Sequence, residues 1–433
     1  MKLYNTAKPD QYTNFENAVF QGLAEGNGLF MPSSFPQFDA AFFQNLPNLS
    51  FEEMAFEVVN ALIGDEIPAA VLKEICDDAF NFPVPLVKLD NQYQILELFH
   101  GPSLAFKDFG ARFMSRIMAY FNQTRKKKLH ILVATSGDTG GAVAMGFHNV
   151  PGIQVSILFP KGRVSKYQEV QLTCLGGNIK AYEVDGSFDD CQALVKKAFT
   201  DRKFADKEGL ASANSINIAR LIPQSLYYFK AWADLQKQKP GAEVVFSVPS
   251  GNFGNICAGA FAKKMGLPIK KLIAAVNENR MFTEYLSSGV MQPKPSIATL
   301  SNAMDVGNPS NFVRIEALLG DVVGVRDWFS SFSFSDVETE QAENEIYDRY
   351  EYLSEPHAAV GYSGLKQYFA QNPGTETGIF LGTAHPAKFI PVLPKAFVER
   401  VEIPKSILDL MEKPSEKTCI GLDYEEFKKL ISG

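Results

Sequence analysis

Cystine bridges, thiolate-bound zinc and membrane insertion find little support in this chain. It has only five cysteines, Cys76, Cys174, Cys191, Cys257 and Cys419. They are widely spaced and odd in number, which suits a reducing compartment and fits neither a disulfide framework nor a zinc site. No apolar run is long enough to span a bilayer, and Met1 to Gln11 lacks the charged-then-apolar order of a signal peptide. A cytoplasmic protein with no membrane partner and no metal is therefore expected. A net charge of -7 argues against nucleic acid as the main partner. There is no internal repeat and no low-complexity segment. The nucleotide signatures are missing too: no glycine-rich loop ends in Gly-Lys-Ser/Thr, and no three-glycine fingerprint is followed by a suitably placed acid.

What is present is alternation. The 433 residues are 46% hydrophobic with 24 prolines spread along them, enough for two or three domains with substantial cores. Apolar runs at Ile131–Ala134, Ile153–Phe159 and Ile179–Val184 read as strands, with a helix over Val164–Leu175 between the last two. That order predicts a parallel sheet with crossover helices. A helical stretch from Leu221 to Leu235 leads through Lys237-Gln238-Lys239-Pro240-Gly241 to a second series, beginning with a strand at Val244–Pro249 and another at Leu272–Val276. The fold class is α/β, with two such domains and a mostly helical N-terminal segment. The boundaries read as 1–95 for that segment, packing on the larger domain, 96–236 for the smaller domain and 237–433 for the larger.

Three loops and one lysine carry the chemistry. In His100-Gly101-Pro102-Ser103-Leu104-Ala105-Phe106-Lys107-Asp108-Phe109-Gly110, a single lysine sits in an apolar, aromatic setting just before a helical pattern that runs to about Phe121. A desolvated lysine has a lowered pKa and can act as a neutral amine that attacks an aldehyde or takes a proton. Alternatively, Lys107 is an ordinary first-turn residue with its head in water. Phe106, Phe109, Phe113, Ile117 and Tyr120 mark the core face of that helix, and Arg125-Lys126-Lys127-Lys128 its solvated end.

The strand at Ile131 runs into Thr135-Ser136-Gly137-Asp138-Thr139-Gly140-Gly141 and then a helix from Ala142. The strand at Val244 runs into Ser250-Gly251-Asn252-Phe253-Gly254-Asn255 and a helix from Ile256. Strand, glycine turn and helix form an anion-binding layout, because N–H groups at a helix start are unpaired and carry partial positive charge; the alternative for the first loop is a tight strand-to-helix turn with capping Ser and Thr. Near the C-terminus, the strand Gly378–Leu381 ends in Gly382-Thr383-Ala384-His385-Pro386-Ala387-Lys388-Phe389, and strand ends are where open α/β sheets place their ligands. A lysine nucleophile, two anion loops and a hydroxyl for a heterocyclic nitrogen together fit pyridoxal 5'-phosphate and an amino-acid substrate.

With these segments in order, the sequence resembles the threonine synthases, members of the fold type II pyridoxal-phosphate enzymes. The likeness also takes in Gly28–Pro32, Gly162-Arg163-Val164-Ser165, Asn214–Arg220, Asn302–Val306 and Pro309-Ser310-Asn311, and its pattern is that of the bacterial and fungal branch. The resemblance implies two open twisted α/β domains and conversion of O-phospho-L-homoserine and water to L-threonine and phosphate, the last step of threonine biosynthesis. It implies that Lys107 bonds covalently to the cofactor aldehyde and later shuttles protons. Gly251, Asn252, Phe253, Gly254 and Asn255 would cradle the cofactor phosphate, and Thr383 would meet the pyridine nitrogen. Thr135, Ser136, Asp138 and Thr139 would hold the substrate carboxylate and the cofactor face, while Asn214, Ser215 and Arg220 would hold the substrate phosphate. Asp138 stands where the wider fold commonly has asparagine: either it carries a proton, its pKa raised by a neighbouring anion, or it points elsewhere. His357 and His385 read as structural hydrogen-bonders, and Asp305 has no assigned chemistry. The competing readings are another fold type II enzyme, such as a threonine dehydratase or cysteine synthase, and a non-catalytic cofactor or amino-acid sensor. The assembly is expected to be a monomer or homodimer.

Overall fold

The computed structural model describes residues 1–125 and 127–432; Lys126 of the basic cluster lies outside them. Among the described residues the strands form three sheets. The larger one runs in the order Phe329–Ser333, Ile269–Val276, Val244–Pro249, Thr377–Gly382, Tyr93–Glu97 and Leu86–Lys88, parallel except at the last pair. The smaller one is fully parallel: Thr418–Ile420, Ile179–Val184, Ile153–Pro160, Leu129–Ala134 and Leu210–Ala211. Every residue of Val244–Pro249 and of Thr377–Gly382 is buried, as befits parallel strands covered by helices on both faces.

Two features add to the sequence reading. The N-terminal segment carries a three-stranded antiparallel sheet, Lys8–Asn14, Lys2–Asn5 and Phe30–Pro32, beside its helices. Its strands are short and mostly polar, so local periodicity gave no signal. The stretch expected to lie wholly with the larger sheet also crosses back: Thr418–Ile420 pairs with Ile179–Val184, and the helix Tyr424–Ser432 packs beside it on Tyr182, Val184 and Leu194. Three residues carry too little pattern to reveal a partner so distant in sequence.

The N-terminal helices pack on both halves. Phe51 and Phe80 make aromatic contacts with Phe109, and Phe80 also stacks on Phe113, fixing the helix Lys107–Arg125 from its core face. Phe38 and Phe42 contact Phe229, and the Phe38 N–H donates to the carbonyl of Met265 at 3.1 Å. Capping boxes at Ser50 with Glu53 and at Ser165 with Gln168 start two helices of the core.

Candidate active site

Lys107 is the first residue of its helix. The turn before it is forced by Leu104 in the left-handed region, φ 59°, and is pinned to the larger sheet. The Phe106 N–H donates to the carbonyl of Thr383 at 2.9 Å, and Ala105 bridges Ala384. The lysine therefore starts at the carboxyl end of Thr377–Gly382. Its side chain is 16% exposed, with Nζ 3.7 Å from Asp138 Oδ2. Burial pushes the ammonium pKa below its ordinary value; the Asp138 carboxylate opposes this, and the charges of Lys388 and Arg220 add to it.

The loop Thr135–Gly141 comes from the smaller sheet. Its helix begins at Asp138 rather than Ala142, so Asp138 and Thr139 occupy the first turn, where backbone N–H groups lack carbonyl partners. Gly137 has φ 139°, and a Cβ there would fall 2.6 Å from the Gln168 side chain. Thr135 is buried, with Oγ1 accepting from the N–H of Gly137 and of Gly140 at 2.9 and 2.8 Å. It braces the loop, leaving exposed Ser136 and half-buried Thr139 facing outward. Asp138 points at cations: Oδ1 lies 2.7 Å from Lys388 Nζ and accepts from Gln168 Nε2 at 3.0 Å. Burial alone raises a carboxyl, but Lys388 and Lys107 outweigh it and hold Asp138 well below the usual carboxylate range. A protonated Asp138 is therefore not what this environment produces.

The loop Ser250–Asn255 has the shape of an anion cradle. Phe253 takes a left-handed conformation, φ 60°, and caps the helix Gly254–Lys264. A Cβ on Gly251 would come 2.7 Å from Cα of Met304, so backbone approaches backbone there. Asn255 Oδ1 accepts from both Tyr227 and Tyr228 hydroxyls at 2.7 Å. That fixes the amide, and its Nδ2 is buried with no partner among the described residues, a costly state unless an acceptor is bound. The Asn252 side chain is committed elsewhere: Nδ2 donates to Ser215 Oγ at 2.7 Å and Oδ1 accepts from the Ser310 N–H at 2.6 Å.

That bond joins the cradle to the loop of Asn214 and Ser215. Asn214 is exposed, while Arg220 is buried against the lysine helix, where a Cβ on Gly110 would meet its Nε at 2.9 Å. Arg220 Nη1 donates to the carbonyl of Ala213 at 2.5 Å, and Nε has no partner among the described residues. Burial lowers its pKa to about 10, so it stays protonated near neutrality.

His357 bridges buried Glu355, 2.5 Å from Nδ1, and the N–H of Ala303, which donates to Nε2 at 3.1 Å. It thereby supports the 303–304 wall that Gly251 touches. His385 is half-buried and accepts from the Ala387 N–H at 3.2 Å, a capping role. Asp305 accepts from Thr299 and Asn277 and ties down a surface loop. Sequence reasoning missed Lys388, Gln168 and Arg314. The first two converge on Asp138. Arg314, fully buried, donates to the carbonyls of Phe30 and Ile216 and to Asn311 Oδ1. Each lies in or beside a quoted segment, but a cation or amide there reads equally as a solvated turn residue.

The family described as pyridoxal-phosphate dependent enzyme matches residues 80–380, which include Lys107 and both glycine loops. The families described as threonine synthase N terminus and threonine synthase, C-terminal, match residues 2–80 and 358–431. The threonine synthase of Escherichia coli K12 is 43% identical over 431 residues, covering 100% of this chain and 99% of its own. That of Haemophilus influenzae is 47% identical over 401 residues, covering 93% and 91%. A crystal structure titled as pyridoxal-phosphate-bound threonine synthase from Brucella melitensis superposes with a TM-score of 0.94 at 36% identity, covering 100% and 98%. The chain belongs to the threonine synthase family.

Proposed function

We propose that this enzyme converts O-phospho-L-homoserine and water to L-threonine and inorganic phosphate. The cofactor is pyridoxal 5'-phosphate, which supplies the electron sink that stabilises carbanions and that no amino-acid side chain offers. The observation that carries the reading is the setting of Lys107: a desolvated amine at a strand end, facing Asp138, with Arg220 close enough for its charge to be felt.

The proposed roles draw on the geometry for support. The partnerless Asn255 Nδ2 and the N–H groups opening Gly254–Lys264 suit the cofactor phosphate. The Thr383 hydroxyl, on the strand end held to Phe106, suits the ring nitrogen. Ser136, Thr139 and the first-turn N–H groups beside Asp138 suit a carboxylate, and Asn214, Ser215 and Arg220 suit the substrate phosphate. Lys107, when displaced by the substrate amine, accepts the proton from the α-carbon and moves protons at the neighbouring carbon until phosphate has left. Its low-lying pKa matches it to this use. Thr135 braces the loop through its oxygen, and its hydroxyl hydrogen suits the same substrate carboxylate.

The test is an absorption spectrum of wild type and Lys107→Ala with and without phosphohomoserine, alongside assays of phosphate and threonine. Threonine formed in step with phosphate, and lost by at least about a thousandfold in the variant, is expected. Keto-acid release without a phosphate requirement would instead identify a dehydratase, and cofactor binding without turnover a sensor.

A further inference from the structure

We infer that Lys388 is a positioning residue for the reaction base, a buried ammonium that fixes Asp138 and sets the charge facing the Lys107 amine. The inference rests on the reading of Lys107 as that base.

Lys388 lies in the turn Pro386–Val392 after the strand Thr377–Gly382, so it belongs to the larger sheet, whereas Asp138 opens a helix of the smaller one. Its side chain is fully buried, with Nζ 2.7 Å from Asp138 Oδ1 and 2.8 Å from the carbonyl of Ser103. Its own carbonyl accepts from Ser165 Oγ at 3.1 Å, and Gln168, in the capping box with Ser165, donates to the same Asp138 oxygen. One lysine thus ties the lysine-bearing loop, the Asp138 loop and the Ser165 helix start together.

The two ion pairs of Asp138 are unequal. Its close partner is Lys388; Lys107 sits a full ångström further from the other oxygen. Without Lys388, the carboxylate would have only Lys107 to neutralise it. It would draw that ammonium into a close pair, the protonated state in which a lysine neither attacks nor accepts a proton. The groups facing Lys107 are Asp138 from one helix start, Lys388 from the turn and Arg220 from the short helix Ile218–Leu221. Asp108, next on its own helix, is turned to the Ser103 N–H at 2.9 Å.

The test reads Lys107 in the cofactor-free protein by competitive acetylation across pH, followed by mass spectrometry of the Lys107 peptide. Lys388→Met should move the midpoint of Lys107 reactivity upward by about one pH unit or more. The ascending limb of kcat/KM should shift the same way, and Lys388→Arg should restore much of the change. The double variant Asp138→Asn/Lys388→Met should bring the midpoint back to or below the wild-type value. Identical midpoints in wild type and folded Lys388→Met would overturn the inference. Should that variant fail to fold, Asp138→Asn alone should lower the midpoint, and an unchanged value would overturn it equally. A failed functional reading is told apart because it abolishes threonine formation in wild type without touching the acetylation profile.

Discussion

Thr383 and Phe106 are one hydrogen bond apart, the Phe106 N–H donating to the Thr383 carbonyl at 2.9 Å. The residue proposed to meet the cofactor ring and the residue preceding Lys107 are thereby held in one rigid unit. The backbone makes this bond, so removing the Thr383 hydroxyl should leave it intact. Thr383→Val should still bind the cofactor but turn over about tenfold more slowly, the scale of one lost hydrogen bond. A spectrum with paired kinetics checks this; full activity would remove the hydroxyl from the mechanism.

Gly251 tests the cradle. Its missing side chain lets Cα of Met304 approach, and the 303–304 wall is supported by His357. Gly251→Ala should weaken cofactor binding by at least about tenfold, because backbone must shift to admit the methyl. Fluorescence titration of the cofactor-free protein measures it, and unchanged affinity would mean that the wall yields freely.

Glu343 predicts a pH dependence of stability. It is fully buried on the helix Asp336–Tyr350, and neither carboxylate oxygen has a partner among the described residues. Burial first, then Glu355 and Glu340, pushes its pKa from 4.5 to about 9. The native state therefore holds a proton that the unfolded chain releases, and this group lowers stability progressively as pH rises from about 4.5 toward 9. Glu343→Gln should stabilise the protein, with a gain that grows over that range and reaches at most about 3 kcal/mol at pH 7. Denaturant unfolding at several pH values would reveal it; a gain independent of pH would contradict the assignment.

Arg314 should matter for folding. Replacing it by leucine leaves the carbonyls of Phe30 and Ile216 and the Asn311 side chain without their donor. A stability loss of about 2–4 kcal/mol is expected, read as a lowered unfolding midpoint. Since Ile216 follows Ser215, affinity for phosphohomoserine should fall as well.

The thiols should differ in reactivity. Cys76, Cys174, Cys191 and Cys257 are buried and Cys419 is exposed; burial pushes Cys76, Cys191 and Cys257 up to about 12. Cys419 should be the first thiol labelled in the native protein, and slowly, because Glu183 accepts its hydrogen at 3.2 Å and raises its pKa. Peptide mapping after brief alkylation decides the order.

The parts legible in sequence were those with a local signature. Apolar runs followed by glycine turns announced the strands at Leu129 and Val244 and the loops after them, and the aromatic spacing announced the face of the Lys107 helix. Pairings between distant segments were not legible. The strand Thr418–Ile420 has no pattern of its own, the Lys388–Asp138 pair joins a turn after one sheet to a helix of the other, and Arg314 finds acceptors in the N-terminal sheet and in the 216 segment. Sequence also gave no sign that the Thr135 oxygen braces its own loop by accepting from Gly137 and Gly140.

The strand Thr418–Ile420 also has a consequence for biogenesis. Cys419 meets Glu183 across 236 residues of chain, so during synthesis the Ile179–Val184 strand emerges long before the strand that covers its edge. Until then it presents unpaired backbone to other nascent chains. Molecules truncated before Thr418 should therefore be prone to aggregate even though every residue proposed to handle substrate has already been made.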